Sequence, residues 1–70
     1  MQAEELSKLE AYMRKLFDSP NIAVKARPRK GDSAEVYVGE EFVGLIHKDD
    51  EDDEDLSYNF TMAILDFDLN

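Results

Sequence analysis

Leu56-Ser57-Tyr58-Asn59-Phe60-Thr61-Met62-Ala63-Ile64 alternates without a break, with apolar side chains at 56, 58, 60, 62 and 64. A period of two sends successive side chains to opposite faces, so the stretch predicts a strand with one buried and one polar face. No other segment is as long and as regular, which makes this strand the expected platform for the core. Past it the phase changes, because Leu65, Phe67 and Leu69 are apolar while Asp66 and Asp68 are polar. A β-bulge near Ile64-Leu65, or an exit into an extended tail, accounts for the switch.

Working outward, residues 3–17 carry Leu6, Leu9, Met13, Leu16 and Phe17 at spacings of three and four, the stripe of an amphipathic helix. Glu4 and Glu5 open it, and Arg14 and Lys15 close it, each complementing the helix dipole. Glu4–Lys8 and Glu10–Arg14 stand at i,i+4 in the favourable acid-first order. Pro20 disfavours helical geometry at Ser19 and ends the element.

Residues 21–27 alternate again, and Pro28 ends that strand because it would remove a ladder donor. Arg29-Lys30-Gly31-Asp32 then reads as a polar turn with Gly31 at positive φ. Residues 34–38 and 42–48 flank Gly39-Glu40-Glu41 as a hairpin. A two-residue Gly39-Glu40 loop suits a type II′ turn and pairs Tyr37 with Phe42 and Val36 with Val43. A three-residue loop pairs Val38 with Phe42 instead, and a one-residue slip exchanges the faces. Gly44 in mid-strand marks a bulge or a close approach by the helix. Strands at about 21–27, 34–38, 42–48 and 56–65, joined locally, predict one α+β domain: an N-terminal amphipathic helix packed on a four-stranded antiparallel β-meander. The expected core is Leu6, Leu9, Met13, Leu16, Ile22, Val24, Val36, Phe60, Met62 and Ile64.

Seventy residues without cysteine make a single small domain with a thin margin of stability and no disulfide. Seven of the nine net negative charges sit in the acidic loop 49–55, which leaves −2 elsewhere. Such a balance disfavours non-specific binding to phosphate backbones. No apolar run approaches the roughly 18 residues that span a bilayer. The opening Met1-Gln2-Ala3-Glu4-Glu5 has no secretory pattern, and a cytoplasmic location is expected.

Chemistry is sparse. A calcium loop counted from Asp49 needs Gly at its sixth position and Glu at its twelfth, and finds Glu54 and Phe60. The run therefore reads as a solvated inter-strand loop, and no metal site is expected. His47 is the one histidine, the serines lie in no nucleophile context, and the three glycines are dispersed. Neither an enzyme nor a cofactor is expected. Both faces of the central hairpin are too apolar for one to stand wholly in water, so a partner surface or self-association is expected. Depending on the hairpin register, the sheet face away from the helix carries Tyr37 and Phe42, or Val43 and Leu45, beside Lys25 and Arg27, and these six are the candidate contacts of a non-catalytic protein-interaction module or small regulator. The alternative is a nucleic-acid binder using the basic segment Lys25 to Lys30, which lacks interleaved aromatics.

The chain resembles a family of small alphaproteobacterial proteins, domain-of-unknown-function family 3126. The resemblance runs through Leu9-Glu10-Ala11-Tyr12-Met13-Arg14-Lys15-Leu16-Phe17, Val24-Lys25-Ala26-Arg27-Pro28 and Ala34-Glu35-Val36-Tyr37 leading into Glu41-Phe42-Val43-Gly44. It continues through the acidic loop, Leu56-Ser57-Tyr58 and Met62-Ala63-Ile64-Leu65-Asp66. It implies a stand-alone bacterial cytoplasmic protein and brings no activity, cofactor or catalytic residue.

Overall fold

The computed structural model describes residues 1–51 and 55–69, with Lys30 described by its backbone. Helix α1 (Ala3–Leu16) precedes four strands, β1 (Ile22–Arg27), β2 (Lys30–Val38), β3 (Glu41–Asp49) and β4 (Ser57–Thr61). The sheet is antiparallel in the order β1-β2-β3-β4, and a short 3₁₀ turn (Asp66–Leu69) follows. The helix lies on one face with its closest packing against β1, completing the expected α+β meander.

The helix stops at Leu16 through its own backbone. Asp18 takes a left-handed conformation at φ 51°, its N–H donates to the Lys15 carbonyl, and the Ser19 N–H donates to the Arg14 carbonyl. These two bonds form a Schellman cap with aspartate where glycine is usual. The turn after β1 is tighter than expected. Arg27 already pairs with Lys30 across Pro28-Arg29, so Gly31 stands in β2 without positive φ.

The β2–β3 hairpin has the two-residue loop, with Val38 opposite Glu41 and Tyr37 opposite Phe42. Gly39 has φ +62° and Glu40 does not have positive φ, the pattern a type II′ turn requires. Val36, however, faces Gly44 rather than Val43, because β3 carries one extra residue there. That bulge changes the phase of the strand. Residues opposite one another share a face, so Phe42 goes with Tyr37 and Leu45 with Glu35 on the outer face. Val43 instead packs against the core cluster on the helix side.

The core is smaller and lies further toward β1 than expected. Met13, Ile22, Val24, Ala34, Val36 and Ile46 are buried, with Leu6, Leu9, Val43 and Tyr58 partly buried against them. Leu16 is 60% exposed, Met62 46% and Ile64 63%, and Phe60 stands at 37%, so these four expected core residues lie at the surface. The cause is topological. The most regular strand of the sequence is an edge strand, five residues long, and the chain leaves the sheet after Thr61.

Gly44 is approached by β4 and not by the helix. A Cβ there meets the Thr61 carbonyl oxygen at 2.5 Å, Phe60 Cε1 at 2.8 Å and Met62 Cβ at 3.0 Å. Backbone on the far side cannot give way cheaply, so Gly44→Ala is expected to cost about 1–3 kcal/mol. Each kcal/mol lowers Tm by roughly 4–8 °C in a domain of this size. Gly31→Ala, which meets nothing within 4 Å, is the near-neutral comparison in the same thermal scan. Asp18→Gly removes the left-handed strain at the cap and is expected to raise stability by up to about 1 kcal/mol. An unchanged or lowered Tm would speak against that strain.

Candidate interaction surface

The outer face of the sheet collects Lys25 from β1, Glu35 and Tyr37 from β2, and Phe42, Leu45 and His47 from β3. Strand alternation and the Val43 bulge together bring them there. The Tyr37 and Phe42 rings meet edge to face, centroids 5.7 Å apart and planes at 68°. The Lys25 ammonium sits 4.7 Å from the Tyr37 ring centroid, within cation–π range. The Tyr37 hydroxyl donates to Glu35 Oε1 at 3.1 Å, and that bond, aided by desolvation, raises the phenol pKa above its ordinary value. Next to Phe42 is a hollow of about 460 Å³ lined by Leu45, His47, Thr61, Ala63 and Leu65.

Four of the six expected contact residues therefore share this face: Lys25, Tyr37, Phe42 and Leu45. Arg27 turns its guanidinium to Ser33 Oγ at 3.3 Å, covering a buried hydroxyl. Val43 belongs to the helix side. His47 lies across from Ser33 on β2 and Asn59 on β4, and the Ser33 oxygen it faces already accepts from Arg27. Of the basic segment Lys25 to Lys30, Lys25 and Arg27 are thus engaged on the sheet itself, and the Lys30 side chain lies outside the described residues. Of the acidic loop, Asp52, Asp53 and Glu54 also lie outside them. Among the described residues no three His, Asp or Glu side chains gather to hold a metal ion, and no helix is long and apolar enough to cross a membrane.

The helix side is held by polar bonds that no periodicity signals. Glu5, in the first turn, accepts Lys48 Nζ and the Tyr58 hydroxyl, both at 2.7 Å, so one carboxylate joins α1, β3 and β4. Its other oxygen accepts the Gln2 N–H at 3.0 Å. Further along, Glu10 accepts the Val24 N–H at 3.0 Å and Arg14 Nε donates to the Ile22 carbonyl at 2.7 Å. These two are edge groups of β1, so the helix covers the first part of that edge of the sheet. The helix-face groove near β4 stays open over about 240 Å³, lined by Met13, Phe17, Val36, Val43, Phe60 and Met62.

The family model described as "Protein of unknown function (DUF3126)" matches residues 5–68, and the chain belongs to that family. No curated protein and no solved structure matches it.

The Glu5 cluster sets an acid limit. Hydrogen bonds from Lys48, then Tyr58, then the Gln2 backbone lower the carboxyl pKa from 4.5 to about 2, against a smaller opposing effect of desolvation. A carboxylate with a depressed folded pKa stabilises fully above its unfolded value, and that contribution is lost as pH falls through the folded one. Glu5→Gln is therefore expected to lower Tm above pH about 4.5, with the gap to wild type closing toward pH about 2. Thermal melts across that window check it. A gap independent of pH would remove the ionised carboxylate from the account.

Proposed function

We propose that this member of the DUF3126 family is a non-catalytic protein-interaction module that binds through the sheet face turned away from the helix. One observation carries the reading: Tyr37 and Phe42 form a fixed aromatic pair on that face, braced by Lys25 and Glu35 and bordered by an apolar hollow. Phe42 is half exposed although it stands within β3. Aromatic side chains with a polar tip supply large contact area with few rotors, which is why they dominate binding hot spots. Bracing before binding reduces the ordering cost on association. Lys25 at the flank favours a partner whose apolar knob is edged by acidic groups.

A non-catalytic role fits the chemistry of the face. Its histidine faces a serine whose oxygen accepts from a guanidinium and which is buried from any substrate. The nucleic-acid alternative has less support, since Lys25 stands over the Tyr37 ring and Arg27 turns to Ser33.

The test is affinity capture from a nuclease-treated lysate of the source cells, comparing wild type with Tyr37→Ala and Phe42→Ala. Each variant is expected to weaken binding of the captured protein by about thirtyfold, equivalent to ~2 kcal/mol for a hot-spot residue. Equal capture by wild type and both variants would overturn the outer-face assignment. Capture that disappears with nuclease would transfer the role to the basic segment.

A further inference from the structure

We propose that two copies of this chain pair through the free edge of β4, antiparallel and about a two-fold axis, to form one continuous sheet. The inference concerns a different surface from the outer-face site and does not rest on it. Its starting point is the unequal treatment of the two sheet edges. Two outer backbone groups of β1, the Val24 N–H and the Ile22 carbonyl, are taken by Glu10 and Arg14 of the helix. On the far side of β4 no strand pairs among the described residues. Natural edge strands are usually protected by lysine, proline or an inward charge. Residues 56–65 contain none of these, and no charge of either sign.

A second copy is the occupant that fits. Residues directly opposite in an antiparallel pair share a face. A register centred on Asn59 sets Tyr58 against Phe60, and Leu56 against Met62, of the other copy. The apolar stripe of β4 then runs on unbroken into its twin, and the open side of the Met13–Phe17–Phe60–Met62 groove is closed. The exposed parts of Tyr12, Leu16, Phe17, Phe60, Met62 and Ile64, roughly half of ~200 Å² each, amount to on the order of 600 Å². That approaches the ~800 Å² per partner of a stable interface.

Charge selects the orientation. The seven-residue acidic run enters β4 at one end, at Asp55, against two aspartates, Asp66 and Asp68, beyond the other end. Antiparallel pairing about Asn59 sets the two Asp55 residues about eight strand positions apart, or ~27 Å at the antiparallel rise. That exceeds the ~8 Å Debye length at physiological salt. Parallel pairing would lay the two runs side by side.

The test uses light scattering after size exclusion, from micromolar to millimolar chain concentration. Wild type is expected to reach twice the 8.0 kDa mass of one chain. Met62→Lys and Ile64→Lys, both at exposed positions, are expected to return it to the single-chain mass with unchanged circular dichroism. Hydrogen exchange supplies a second readout: the Ser57–Thr61 amides of wild type are expected to slow at least tenfold on dimerisation, and those of the variants are not. A single-chain mass throughout overturns the proposal and leaves the edge to a strand from another protein. A dimer that survives both lysines also overturns it. Tyr37→Ala is expected to keep the dimer mass, so failure at the outer face and failure at the edge are read separately.

Discussion

One carboxylate ties the two layers together on the side where apolar packing is weakest. Glu5 draws Lys48 and Tyr58 onto the first turn of the helix, and so joins α1 to both strands farthest from β1. The buried set gathers Met13 with Ile22 and Val24 of β1, Ala34 and Val36 of β2 and Ile46 of β3, and includes no residue of β4. A chain of this size has few apolar contacts to spare, so polar bonds of good geometry carry part of the alignment. Without the Glu5 contacts, β4 keeps its ladder to β3 and loses its direct polar tie to the helix. The helix in turn is held at its other end by Arg14 and Glu10, which pair with each other and bind the backbone of β1.

The bulge at Val43 does for the outer face what Glu5 does for the inner one. In an unbroken strand, residues 42 and 45 point to opposite faces. One extra residue sets both Val43 and Gly44 on the core side and so brings Leu45 to the same outer side as Phe42. The same phase change puts Gly44 beneath Phe60 and Thr61, at a spacing that admits no side chain. The aromatic pair outside and the close strand approach inside are two results of one insertion.

Much of the architecture was legible because it rests on local periodicity. The helix stripe, the three hairpin connections and the Gly39-Glu40 turn follow from patterns within a few residues of one another. Leu16, Phe60, Met62 and Ile64 were misplaced because periodicity reports which face a side chain occupies, and not whether another layer covers it. The stretch 56–64 has a clean apolar face, yet strand order makes it an edge that the helix barely reaches. Ala34 and Ile46 were missed for the converse reason. Their burial comes from pairing with one another at the middle of the sheet, which only the register reveals. On the candidate face, Tyr37 and Phe42 were recoverable from the turn type. Val43 follows from the same register, which sets it on the side of Val36, whereas Leu45 reaches the outer face only through a bulge, and a bulge has no signature beyond a glycine nearby. Glu5, Glu10 and Arg14 looked like ordinary solvated helix charges, since their targets are distant backbone and side-chain atoms.

The meander also bears on how the chain is made. Every strand after the first pairs with the strand just before it, so each ladder joins segments that are neighbours in the chain. No segment has to wait for a later one to form its ladder, which keeps loop-closure costs small. The helix, made first, meets its backbone targets on β1 within a few residues of leaving its own cap. The contact of Glu5 with Tyr58 spans 53 residues and is necessarily among the last to close. The final strand then completes a ladder whose partner, β3, already precedes it in the chain.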